Sequence, residues 1–162
     1  MANEAVSDTG PILHLHEINQ KGMLSVFSKV FISHIVEEEL GNYRVSPLPR
    51  NIEIMQINKD QTSLFAQRYD LELGESSGIW LCKSLKIPLF LTDDLDAREV
   101  ASALDLKPVG TLGIIIRSYR EKLIAQKEAI SLIHALHENS SLFVTDRIVN
   151  HAIAELKKLK LK

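Results

Sequence analysis

Asp8, Glu39, Glu75 and Asp94 lie far apart in the chain, yet each occupies a position from which a carboxylate can turn toward one common point. Four carboxylates gathered there would offer hard oxygen ligands of the kind Mg²⁺ or Mn²⁺ prefers. An ion held that way lowers the pKa of a bound water and neutralises charge on a phosphate, so no nucleophilic side chain is required. The sequence contains 21 aspartates and glutamates, so most must be ordinary surface charges. Selection among them rests on position.

Helical spacing separates the glutamates. On a helix over residues 34–40, at about 100° per residue, Ile35, Val36 and Leu40 define an apolar arc. Glu39 falls inside that arc, and Glu37 and Glu38 fall outside it. An inward carboxylate is costly unless a partner or a metal compensates. The alternative is that Glu39 reaches around the edge of the arc into water. Glu75 shares a face with Ile79 and Cys82, and Gly78 on that side would admit another backbone. A glutamate in a first helical turn also suits the helix dipole, so spacing alone leaves Glu75 open. Asp8 ends an apolar segment and precedes Thr9-Gly10-Pro11, where turn or cap chemistry is the competing role. Asp93, Asp94 and Asp96 crowd one strand-to-helix junction. One acid suffices for a cap, and three repel one another unless a cation sits among them. Thr9, Thr92 and Asp93 flank the key acids and are candidates for orienting ligands or water.

These residues need a frame. Residues 4–7, 30–32 and 107–109 read as short strands, and 88–92 is the clearest one, short, apolar and bounded. Ile52, Ile54 and Ile57 suggest another extended stretch. Helices are expected over about 11–17, 34–40, 61–68, 74–85, 94–104, 111–123, 127–138 and 146–159, with a Gly- and Pro-containing loop at 41–50. Strands alternate with helices from residue 4 to residue 123. That alternation predicts a parallel sheet covered on both faces, a three-layer α/β/α arrangement with extra C-terminal helices. Right-handed crossovers place the carboxyl ends of all strands on one edge, where open α/β sheets bind ligands. Asp8 and Asp94 each follow a strand and so share that edge.

The 162 residues suit a single domain over 1–162, with about 126–162 a helical C-terminal extension of it. The start MANEAVSDTG lacks the basic and apolar regions of a signal peptide. No apolar run is long enough to cross a membrane. The single cysteine, Cys82, excludes an internal disulfide and fits a reducing, cytoplasmic setting. Net charge is −2, which neither supports nor excludes a nucleic-acid partner, because acids around a metal mask basic residues elsewhere. Arg44, Arg50, Arg98 and Arg117 are candidates for phosphate contact, with surface solvation the plainer role of each. His134 and His137 share a helix face without a third ligand in a zinc pattern. Cys82 reads as core, and Gly110 with Gly113 as a tight strand-to-helix turn. A phosphatase that forms an aspartyl-phosphate would want a second aspartate two places after Asp8, where Gly10 stands.

At the acidic positions the chain resembles the PIN-domain nucleases. VSDTGP (residues 6–11) is similar to that family's first strand and first acid. IVEEEL (35–40) is similar to its second acidic motif, LGESSGIWLCKSL (73–85) to its third block and LFLTDDLDAREVA (89–101) to its fourth. GTLGIIIRSYREKLI (110–124) resembles a prokaryotic PIN-like subgroup of unassigned function related to VapC-type toxins. The resemblance implies a parallel sheet between helical layers and a Mg²⁺ or Mn²⁺ site on Asp8, Glu39, Glu75 and Asp94, with Asp96 as a further candidate ligand. It also implies cleavage of single-stranded RNA and a homodimer, with an antitoxin partner in toxin members. The alternative role is a PIN-like module that binds RNA or protein without turnover.

Overall fold

A computed structural model of the chain describes residues 3–159. Five parallel strands form one sheet in the order β3-β2-β1-β4-β5, built from β1 (Glu4–Ser7), β2 (Lys29–Ser33), β3 (Ile52–Met55), β4 (Leu89–Leu91) and β5 (Lys107–Val109). Between and after them run α1 (Thr9–Glu17), α2 (His34–Asn42), α3 (Lys59–Tyr69), α4 (Leu73–Leu85), α5 (Leu95–Ala103), α6 (Thr111–Arg120), α7 (Gln126–Asn139) and α8 (Asp146–Lys158).

The period-two alternation of strand side chains sorts the core into two layers. Ala5, Val30, Ile32, Leu89 and Leu91 face one side, where α6, α7 and α8 cover them with Ile114, Ile115, Ile133, Leu136, Val149 and Leu156. Val6, Phe31 and Phe90 face the other side, against Ile79 and Cys82 of α4 and Ala97 and Ala101 of α5. Both faces are therefore buried, as an all-parallel sheet requires. Cys82 is core, and burial pushes its thiol up to about 12. The C-terminal helices α7 and α8 contribute to the same apolar layer as the sheet and α6.

The expected helices are present with shifted ends. Asp8, Asp94 and Glu72 sit at N-cap positions, so α1 begins at Thr9, α5 at Leu95 and α4 at Leu73. A 3-10 turn over Lys21–Val26, between α1 and β2, has no counterpart among the elements expected from the sequence. Its buried Met23, Leu24 and Val26 pack under the sheet rather than marking a periodic face. Gly110 and Gly113 do not serve a turn of unusual backbone, since no described glycine has a positive φ. They serve space: a Cβ on Gly110 would lie 2.7 Å from Asp93 Oδ1, and one on Gly113 would lie 2.8 Å from Val109 Cγ1.

From β1 the chain crosses outward to β2 and β3 on one side and later to β4 and β5 on the other. The reversal falls between β1 and β4, which are hydrogen-bonded neighbours with Ser7 opposite Leu91. A crevice opens beyond the carboxyl ends of strands at such a switch point. No described helix is long and apolar enough to cross a membrane.

Candidate active site

The switch point carries the first and fourth acids. Asp8 directly follows β1, and its backbone N–H donates to Leu91 O at 2.9 Å across the sheet. Its side chain caps α1 by accepting the Thr9 N–H on Oδ1 at 2.7 Å. Asp94 caps α5 by accepting the Ala97 N–H on Oδ1 at 2.8 Å. Thr92 ties the two together. Its hydroxyl donates to Asp8 Oδ2 at 3.2 Å and accepts the Asp94 N–H at 3.3 Å. The cap roles weighed against function for both aspartates are thus real, and they coexist with a place on the wall of one cleft.

Two helices bring the glutamates. On α2, Glu37 and Glu38 are exposed and Glu39 is half-buried beside the buried Ile35, Val36 and Leu40, as the helical arithmetic predicts. The Thr9 hydroxyl donates to Glu39 Oε2, linking the second acid to the residue next to the first. Gly74 makes room for that carboxylate, since a Cβ there would stand 2.6 and 2.8 Å from its two oxygens. In the first turn of α4, Glu75 accepts the Glu72 N–H on Oε2 at 3.3 Å within a capping box. A buried relay fixes α2 against α4. The Val36 N–H donates to Ser33 Oγ at 3.2 Å, Ser33 Oγ contacts Ser77 Oγ at 2.6 Å, and Ser77 Oγ donates to Gly74 O at 2.7 Å.

Asp8, Glu39, Glu75 and Asp94 all line one cleft of about 580 Å³. Asp96 does not. It is exposed on α5, two residues beyond Asp94 and so about 200° around the helix axis. Asp93 lines the cleft but is spent on scaffolding. Its Oδ1 accepts the Thr111 N–H at 2.7 Å, and its Oδ2 accepts the Thr111 hydroxyl at 2.5 Å and meets His14 Nδ1 at 2.7 Å. This network binds the start of α5 to α6 and α1. Sequence alone did not single out His14 or Thr111, because a histidine on an apolar helix face carries no mark of a partner 79 residues away. None of Arg44, Arg50, Arg98 and Arg117 lines the cleft. Arg98 Nη1 donates to Thr92 O at 3.3 Å, and Arg117 packs its guanidinium over the Phe27 ring while pairing with Glu121.

Six acids line the cleft, the two beyond the four being Glu72 and Asp93, and no lysine or arginine among the described residues joins them. The electrostatic consequence is visible in two groups. Asp8 is 6% exposed, and its carboxyl is pushed up to about 7, first by desolvation and then by the Glu39 and Asp94 charges, against the opposing Thr9 and Thr92 hydrogen bonds. Glu75 is pushed up to about 8 by desolvation and by the Asp8 and Asp94 charges. As the side chains stand, no three described His, Cys, Asp or Glu groups close on a single metal position; the carboxylates surround a cleft instead. The donor set nonetheless fits a hard divalent ion, being all oxygen, joined in the cleft by no described lysine or arginine, and destabilised at Asp8 and Glu75 by its own charge.

Comparison with known proteins agrees with this architecture. No curated protein and no solved structure matches the chain. A family model does: DUF3368, a PIN domain, matches residues 4–158 and so spans the sheet, all four acids and both C-terminal helices. The chain therefore belongs to the DUF3368 family of PIN domains.

Proposed function

We propose that this PIN domain is a metal-dependent endoribonuclease that hydrolyses phosphodiester bonds in single-stranded RNA, using Asp8, Glu39, Glu75 and Asp94 with Mg²⁺ or Mn²⁺. PIN domains are in general nucleases that use divalent metals. The observation that carries the reading here is the cleft at the switch point, lined by six carboxylates and by no described lysine or arginine. Such a surface repels a phosphodiester unless a cation neutralises it, so the same carboxylates that obstruct a bare site support a metal-loaded one. When bound, the ion would supply charge neutralisation at the phosphate and a water of lowered pKa.

The protein's own groups do the rest. Thr92 holds Asp8 Oδ2 in place, and Thr9 holds Glu39 Oε2, so two of the four carboxylates are oriented before any ligand arrives. Glu75 uses Oε2 for the capping box; with a cation bound, its carboxyl would be drawn down from about 8, and Oε1 could then take a proton from an attacking water. All four positions keep a carboxylate, which favours turnover over a binding-only role.

The reading is tested with purified protein and labelled single-stranded RNA. Cleavage is expected with Mg²⁺ or Mn²⁺ and not with EDTA, and Glu75→Gln is expected to lower the rate about 100-fold, the scale of a lost general base. A folded protein that leaves RNA intact with either metal would sink the proposal. A second variant separates site geometry from fold. Gly74→Ala places a methyl group where the Glu39 carboxylate now lies. That carboxylate is the end of a flexible side chain and can swing aside, and alanine favours a helix by up to about 1 kcal/mol over glycine. The variant should keep its melting temperature while losing about tenfold or more in cleavage. Unaltered activity would remove Glu39 from the site.

A further inference from the structure

Of the nine aromatic residues in the chain, only Tyr43 and Phe143 are exposed, at 60% and 86%, and both line the acidic cleft. The other seven are buried or half-buried. Tyr43 follows Glu39 by one helical turn at the end of α2, which puts the two on the same helix face. Phe143 comes from the loop between α7 and α8, so the C-terminal extension supplies a wall of the site.

That loop is held rather than loose. The Ser141 N–H and hydroxyl both donate to Glu17 Oε1, at 3.0 and 2.8 Å. Leu142 and Val144 turn into the core on either side of Phe143. Thr145 caps α8 by accepting the Ile148 N–H at 3.2 Å. Leu142 and Val144 are thus anchored inward on either side of Phe143, which stands outward between them. A large apolar ring displayed in water on a braced loop is a preformed contact, with little ordering left to lose on binding.

We propose that Phe143 and Tyr43 form a stacking clamp for the bases of single-stranded RNA that flank the phosphate presented to the carboxylates. This rests on the nuclease reading of the cleft and extends it to substrate recognition. Stacking suits unpaired bases because every base has a π-face, and it withdraws those faces from a duplex. It also supplies attraction in a cleft where the protein's own charge gives none. Phe143 additionally borders an apolar groove with Leu95 and Ile148, which makes association with a second copy the competing use of this ring.

The test is equilibrium binding of a fluorescein-labelled, mixed-sequence single-stranded RNA in Ca²⁺, alongside the same sequence as a duplex, with sedimentation measured in parallel. Phe143→Ala and Tyr43→Ala are each expected to weaken single-strand binding about 5- to 100-fold. Phe143→Trp should restore it, and duplex binding should stay unmoved. The clamp is overturned if Phe143→Ala binds single strands as tightly as the wild type, if wild type binds none, or if only the oligomeric state changes. Aromatic-dependent RNA binding without cleavage in Mg²⁺ or Mn²⁺ would instead leave the clamp standing and reject the nuclease.

Discussion

Asp8→Asn is expected to reduce metal-dependent RNA cleavage by at least about 10³-fold, on the scale of a lost electrostatic contact to the transition state, and at the same time to make the metal-free protein more stable at pH 8. The two effects share one cause. Asp8 is buried among like charges, and its carboxyl sits at about 7 instead of 3.8. A folded acid with a raised pKa costs stability once ionised. Below about pH 4 both folded and unfolded chains hold the proton, and nothing is lost. Between about 4 and 7 only the unfolded chain releases it, so stability falls with rising pH, and the full penalty persists above 7. A rise from 3.8 to about 7 corresponds to roughly 4 kcal/mol as an upper scale. Asparagine keeps the cap on α1, since it accepts the Thr9 N–H equally well, and its amide can donate to the Thr92 hydroxyl. Thermal unfolding in EDTA should therefore show the variant gaining on wild type from pH 4 to 7 and keeping a lead of several degrees at pH 8. Adding Mn²⁺ should close that gap by stabilising wild type alone, through binding to the folded state. A variant that melts below wild type at pH 8 without metal would mean that the Asp8 carboxylate is already compensated within the protein.

How much of this was legible in the sequence depends on how local the signal is. The strand-helix alternation, the parallel sheet and the choice of Glu39 over Glu37 and Glu38 all follow from periodicity, which a chain displays residue by residue. The joining of Asp8 to Asp94 needed only the rule that parallel strands share a carboxyl edge, plus the adjacency of β1 and β4. What periodicity does not encode is which polar groups meet across large separations. The anchoring of Asp93 by His14 and Thr111, the relay through Ser33 and Ser77, and the arrival of Phe143 in the cleft that Glu39 lines arise only once the sheet order is fixed. Asp96 stands exposed outside the cleft lining for the opposite reason. Proximity in sequence to Asp94 suggested a shared site, and a two-residue step on a helix points the side chain elsewhere. Gly110 does stand at a tight strand-to-helix junction, between β5 and α6, while what glycine supplies there and at Gly113 in α6 is room for the Asp93 and Val109 side chains.

The same distinction gives Gly78→Ala an expected cost where a helical glycine ordinarily promises a gain. In a helix interior alanine is better than glycine by up to about 1 kcal/mol. Gly41 in α2, with nothing within 4 Å of its missing Cβ, should show that gain when replaced. At Gly78 a Cβ would stand 2.4 Å from Phe90 Cε1 and 2.9 Å from Cζ. Phe90 is wholly buried on β4, between β1 and β5, so its ring has no solvent to withdraw into. Helix α4 must lift from the sheet instead, at about 1–3 kcal/mol or more for overpacking, which outweighs the gain in helix propensity. Lifting α4 also carries Glu75, three residues earlier on the same helix, away from Asp8 and Asp94. Gly78→Ala should accordingly lower both stability and cleavage, while Gly41→Ala raises stability and leaves cleavage intact. Phe90→Leu is the decisive companion. Alone it opens a cavity and destabilises, but combined with Gly78→Ala it vacates the space the new methyl needs. The double variant should be more stable than the sum of the single losses allows, by about 1 kcal/mol or more in a thermodynamic cycle. Simple additivity would show that α4 does not press on Phe90, and that Glu75 is positioned by its capping box alone.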